Sequence, residues 1–275
     1  KPAGSYATKT LALERRGRYT LSVPIELFAL VALLAFLAEY IDSSLGMGYG
    51  TTLSPLLLLL GFSPIEVVPI VLLSECITGF VAALFHHTYQ NVSFRRDSLD
   101  SQVALVLGLI GIAGAVLAVT LALRLPDLWV KLYIGLLVFG MGVLVLFTRT
   151  YSDGFSWRRL VAIGFLSSFN KGLTGGGYGP LITTGQIFAG LNPKAAVGIT
   201  SLAEGVVSFV GVGAYVLLAK DLKWALAIPV LLGALASAPL AALTVQRLRS
   251  FHLRRLIGLL AIAIGLLTLA RALWP

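Results

Sequence analysis

Runs of about 20 apolar residues recur along the whole chain, and they restrict its fold more than any other feature. A helix needs about that length to cross a bilayer core. Inside that core every backbone N–H and C=O must be paired within the segment or with a closed barrel, so the spanning structures are few. Only 12% of the 275 residues are charged, while 57% are hydrophobic. Soluble domains carry roughly twice that share of charge, about 25%. The chain therefore reads as an all-α integral membrane protein, not as a soluble domain with buried helices.

The net charge of +9 sits mostly between the spans. Topology and lipid headgroups account for it there, and no nucleic-acid partner is expected. Cys76, the single cysteine, lies in an apolar run, which excludes an intrachain disulfide and a CxxC motif. It reads as a packed small side chain. The first apolar run is as long as a span and no small-residue cleavage site clearly follows it, so no cleavable signal is expected.

Two glycine-rich stretches interrupt the apolar pattern. One is Ser43-Ser44-Leu45-Gly46-Met47-Gly48-Tyr49-Gly50; the other is Asn170-Lys171-Gly172-Leu173-Thr174-Gly175-Gly176-Gly177-Tyr178-Gly179-Pro180. Glycine costs about 1 kcal/mol per residue in a helix interior, so the helices should break here. A break at membrane depth survives only where protein covers the freed backbone or a watery cavity solvates it. Transporters bind their cargo at such places.

Residues 1–20 read as a polar, basic tail. A first span runs from Leu21 to about Tyr40, with Pro24 in its first turn, where proline is tolerated. A short apolar arm, Leu53 to Leu60, follows the first glycine stretch and stops at the turn Gly61-Phe62-Ser63-Pro64. Spans are expected at about 64–85, 102–123 and 128–148. In the second half a short arm from Leu160 to Phe169 meets the second glycine stretch, and a short return, Leu181 to Ala189, reaches Gly190-Leu191-Asn192-Pro193. Further spans are expected at about 194–218, 224–246 and 253–273. Trp157, Trp224 and Trp274 fall at span ends, as interfacial anchors do.

The two halves register without a gap at an offset of 129 positions. Gly46 meets Gly175, Gly48 meets Gly177, Tyr49 meets Tyr178, Gly61 meets Gly190, Pro64 meets Pro193 and Glu75 meets Glu204. Chance similarity between apolar runs does not align two hairpins, two helix-start prolines and two intramembrane glutamates at once. We read two membrane repeats, 21–148 and 149–275, each a broken, re-entrant helix pair plus three transmembrane helices. The re-entrant pair leaves each half an odd number of crossings, so the topology of the repeats is inverted. A pair crossing only once would make them parallel instead.

Charge within a span is costly and marks a pathway or a partner. Glu75 and Glu204 each stand about twelve residues into a span, about 18 Å at 1.5 Å per residue. Thr200, Ser201 and Ser208 share a helix face with Glu204, and Thr78 shares one with Glu75. Two readings stand side by side: glutamates hydrogen-bonded across a helix interface, or titrating groups that couple transport to protons. Glu39 and Asp42, three apart, are either an ordinary helix end at the headgroups or a carboxylate pair at the mouth of a cavity. Asp42 joins the proton-coupling candidates.

Lys171 occupies the position that Asp42 holds in the first half. Its ammonium either pairs with Asp42 or a glutamate, or faces an anionic substrate. The glycine stretches and the helix N-termini after them offer N–H groups that attract anions. The expected anion site comprises Lys171 and Asn170, the backbone of Gly48, Gly50, Gly176 and Gly177, and the donors Ser43, Ser44, Tyr49, Thr51 and Tyr178. Such a cavity suits a small oxyanion: a sulfite, a sulfonate or a carboxylate. Adjacent His86 and His87 point to different sides of a helix and make no metal site; no metal or cofactor is expected.

At these residues the chain resembles the TauE/SafE sulfite exporter family of membrane permeases over nearly its full length. The resemblance is carried by Asp42, Gly46-Met47-Gly48-Tyr49-Gly50 and Gly61-Phe62-Ser63-Pro64, then by Gly175-Gly176-Gly177-Tyr178-Gly179-Pro180 and Gly190-Leu191-Asn192-Pro193. Gly198-Ile199-Thr200-Ser201 matches the small-Thr-Ser run of the family with one apolar insertion, and Pro69-Ile70-Val71 departs from it. Lys171 departs too, standing where many relatives carry an acid. The resemblance implies two inverted halves and export of sulfite or small organosulfur anions. The expectation is a multi-pass secondary transporter of the inner membrane, not an enzyme, that moves a sulfur-containing anion by alternating access with protons as the coupling ion and lipids around it. Its rivals are a passive anion channel and a lipid-diphosphate phosphatase; the latter would want an arginine at midplane depth, and none is expected there.

Overall fold

The computed structural model describes residues 24–147, 156–188, 191–219, 224–245 and 250–274. The expected tail 1–20, the start of the first span at Leu21, the start of the second half at Arg149 and the turn glycine Gly190 lie outside the described residues. Every regular element among the described residues is a helix: α1 Ile25–Leu45, α2 Tyr49–Leu59, α3 Pro64–Thr88, α4 Leu99–Ala122, α5 Asp127–Phe147, α6 Trp157–Thr174, α7 Tyr178–Phe188, α8 Pro193–Leu218, α9 Ala227–Thr244 and α10 Ser250–Leu273. Four of them, α3, α4, α8 and α9, are long and apolar enough to cross a membrane. Leucines at 33, 84, 105, 109, 217 and 232 are more than half exposed on the outside of the bundle, the surface a bilayer covers. This is an all-helical, multi-pass membrane protein.

Local chemistry sets the helix ends. At α3 Pro64 takes the first helical position, and the Glu66 carboxylate accepts the Ser63 N–H at 2.9 Å. At α8 Pro193 again comes first, and Asn192 Oδ1 accepts the Lys194 N–H at 2.9 Å. The α1 helix stops because Gly46 takes a left-handed φ of 68°, returning its N–H to Asp42 O at 2.6 Å. Gly175 does the same after α6, with φ 72° and a 2.8 Å bond to Lys171 O. Residues with a Cβ rarely adopt this conformation.

The breaks are narrower than the glycine content suggests. The arm expected over Leu160 to Phe169 is an 18-residue helix that runs on through Asn170 and Lys171. The arms expected from Leu53 and Leu181 start four and three residues earlier, at Tyr49 and Tyr178. One left-handed glycine suffices to turn the chain, and the following glycines tolerate helix once packing favours it. Helix boundaries repeat at the sequence offset: α1 ends at Leu45 and α6 at Thr174, α2 covers Tyr49–Leu59 and α7 Tyr178–Phe188, α3 opens at Pro64 and α8 at Pro193.

Packing follows the same exchange. The α3 and α8 helices cross at the centre; α1 lies on α9 and α6 on α4, while α4 touches α8 and α9 touches α3; α5 pairs with α10. The first helix of each half thus leans on the fourth helix of the other. Small residues make the close approaches, as expected where lipid supplies no hydrophobic drive. A Cβ added to Gly79 of α3 would lie 2.7 Å from Ser201 O and 2.9 Å from the Gly205 Cα of α8. The glycine turns themselves meet: a Cβ on Gly50 would collide with Gly175 O, and one on Gly179 would reach 2.5 Å from Gly46 O.

Candidate functional site

Five ionisable side chains converge where α1, α3, α6 and α8 approach the glycine turns. Lys171, in the last turn of α6, is fully buried. Its Nζ lies 2.5 Å from Glu204 Oε1 on α8 and also pairs with Glu75 Oε2 on α3. The glutamates, 2% and 4% exposed, come from opposite halves, so the lysine ties the halves together across the central crossing. Among the described residues Glu75 has no hydrogen-bond donor beyond that ion pair, and Oε1 faces none at all.

Glu39 and Asp42 project from the last turns of α1. Both are buried inside the bundle, facing the cavity. Ser43 Oγ donates to Glu39 Oε1 at 2.6 Å, and Thr78 Oγ1 lies 3.1 Å from Oε2. The Thr78 proton is shared with Ser74 O, 3.0 Å away. Asp42 Oδ1 accepts the Tyr49 N–H at 3.2 Å, placing a carboxylate at the N-terminus of α2, where the helix dipole favours it.

These groups enclose a cavity of ≈ 10 Å³, room for about one water molecule. Its wall comes from three helices: Glu39, Asp42 and Ser43 of α1; Glu75, Thr78, Gly79 and Ala82 of α3; Ser201 and Glu204 of α8. The α3 contribution follows the spacing i, i+3, i+4, i+7, one stripe of a helix. No arginine lines it. With four carboxyl groups against one ammonium, a free anion would meet repulsion here unless protons neutralise the acids.

Of the residues expected from sequence to form the site, Ser43, Asp42, Glu75 and Glu204 reach the cavity wall, and Lys171 stands against both glutamates. The others are buried around it without lining it. Tyr49 OH bonds Ser74 Oγ at 2.7 Å, and Asn170 Oδ1 accepts the Tyr133 hydroxyl. The Gly176 N–H is taken by Thr174 Oγ1 at 3.1 Å. Gly50 and Gly176 meet backbone to backbone, while Gly48 and Gly177, at φ 128° and 79°, shape the turns. Thr51 is buried, and the buried hydroxyls of Ser44 and Tyr178 have no partner among the described residues.

Two participants were not on the expected site. Glu39 carried its signal in the i, i+3 spacing to Asp42, which left headgroup and cavity equally open. His86 is fully buried; its Nε2 lies 3.1 Å from Ser43 O, and its Nδ1 3.1 Å from Asn91 Nδ2. A carbonyl can only accept and an amide NH₂ only donate, so these two partners match the Nε2–H tautomer of the ring. His86 extends the Glu75–Ala82 stripe by four residues and latches α3 to the end of α1.

The family model described as Sulfite exporter TauE/SafE matches residues 31–268. The protein described as Probable membrane transporter protein YtnM, from Bacillus subtilis (strain 168), is 29% identical over 255 residues, spanning 88% of this chain and 81% of that one. No solved structure matches the chain.

Proposed function

Because this chain belongs to the TauE/SafE sulfite exporter family of membrane transporters, we propose that it is a secondary transporter exporting a small sulfur-containing anion, such as sulfite or an organosulfonate, across the inner membrane by alternating access. The observation that carries this reading is the buried Lys171, ion-paired at once to Glu75 of α3 and Glu204 of α8 at the crossing between the halves. We read the two halves as inverted repeats and the occluded cavity as one stage of their rocking. An incoming anion competes for the Lys171 ammonium and displaces a carboxylate. Protons taken up by Glu75, Glu204, Asp42 and Glu39 keep the chamber from accumulating negative charge, so anion and proton bind together. The glycine turns, freed from contact when the halves separate, add backbone N–H donors to the anion.

A cavity with room for only about one water favours a carrier over an open anion channel. The test is flux into proteoliposomes of sulfite, sulfonates, thiosulfate and carboxylates at two pH values. Saturable flux that selects sulfur anions and rises as pH falls is expected. Linear, unsaturable flux would establish a channel, and no flux of any sulfur anion would remove the substrate assignment.

A further inference from the structure

We propose that a second cleft, which shares no lining residue with the glutamate–lysine cavity, binds the phosphate headgroup of an anionic phospholipid. This cleft of ≈ 240 Å³ lies where the end of α2 meets α5 and α10. Its cationic wall is Lys131 of α5 and Arg271 of α10; Leu58 and Leu59 form its apolar floor, and Trp274 stands at its edge. None of its lining residues is acidic. Two cations side by side in a cleft next to a bilayer, with the nearest acid along α5, Asp127, outside the lining, are a site for a phosphate.

The cations are set for this. Arg271 donates one N–H to Leu59 O, at the last residue of α2, which anchors the guanidinium over the cleft. A guanidinium carries five N–H donors in a fixed fork, so most remain for a ligand. Lys131 forms no hydrogen bond or ion pair among the described residues. Trp274 is 79% exposed at the end of α10, an amphipathic ring where membrane meets water.

The surroundings favour a lipid over a free ion. Leu60 and Leu273 adjoin the cleft residues in the chain and are 37% and 59% exposed. A phosphodiester held by the cations would lay its acyl chains along these side chains, whereas a bare oxyanion would leave them unused. Nor is the cleft a by-product of the repeat. At the 129-residue offset, Lys131 corresponds to Leu260 and Arg271 to Gly142, so the repeat does not reproduce this cationic pair.

The experiment uses the purified full chain in detergent, titrated with phosphatidylglycerol or phosphatidylcholine and followed by native mass spectrometry. Phosphatidylglycerol should be retained at least tenfold more tightly. Lys131→Ala and Arg271→Ala should each weaken it about fivefold, and Arg271→Lys should retain most of the preference. Arg271→Ala also uncaps α2; Lys131→Ala loses no partner, so it decides the matter if the arginine variant fails to fold. Equal retention of the two lipids, or unchanged retention by Lys131→Ala, overturns the proposal. So does displacement of phosphatidylglycerol by millimolar sulfite, which would make the cleft a vestibule for free anions.

Discussion

At the scale of single residues, Lys171 separates stability from transport. Replacing it with methionine leaves Glu75 and Glu204 buried without a counter-charge, a change that costs about 3–5 kcal/mol in comparable buried pairs. Lys171→Met should therefore lower the thermal unfolding midpoint sharply. Adding Glu75→Gln and Glu204→Gln removes the stranded charges and should recover most of that midpoint while anion flux stays absent. Recovery of both together would make the lysine a purely architectural group. Glu39 gives a finer test. Glutamine can accept from Ser43 at its carbonyl oxygen and donate its NH₂ to Thr78 Oγ1, whose own proton then goes to Ser74 O. It loses the ability to exchange a proton, so Glu39→Gln should fold normally and flatten the pH dependence of flux. A variant profile that follows the wild type would confine Glu39 to holding α1 against α3.

Among the elements, the glycine turns and helix crossings have unequal tolerances. A methyl group at Gly50 would collide with the backbone of Gly175, which has nowhere to retreat. Gly50→Ala should prevent the turns from meeting and yield aggregated or rapidly degraded protein. Gly213, in α8, has nothing within 4 Å of an added Cβ, so Gly213→Ala should fold at least as well as the parent, gaining up to about 1 kcal/mol of helix propensity. Size-exclusion profiles of the two variants check both outcomes. Sequence resolved these elements unevenly. Pro64 and Pro193 marked helix starts to the residue, because a missing N–H matters least there. The glycine runs showed where the chain turns but exaggerated how far the helices unwind, since α2 and α7 begin inside them. Glu75 and Glu204 stood out as charges in apolar spans. For Lys171 the sequence left Asp42, a glutamate and a substrate as open partners. The structure pairs it with Glu75 and Glu204, a choice that no local pattern could make because the pairs join α6 to two helices distant in the chain.

For the whole molecule, charge balance governs the pH response. If anion binding carries protons into the cluster, linkage requires the apparent anion affinity to fall as pH rises, by up to about tenfold per pH unit for each proton taken up. Anion binding measured by calorimetry in two buffers of different ionisation enthalpy reads the number of protons directly. Affinity independent of pH, with no buffer dependence, would exclude protons as the coupling ion.

The reciprocal clasp of α1 by α9 and of α6 by α4 also bears on biogenesis. As the chain leaves the ribosome, α1 with its two acids meets α2 and α3 early but must wait for a segment synthesised some 180 residues later before its main packing partner, α9, exists. Gly233 of that late segment is the residue that admits the backbone of Ala32. A message ending after the fifth helix would thus release an orphaned bundle for the quality-control proteases. Supplying both halves as separate polypeptides in one cell should rescue either from them.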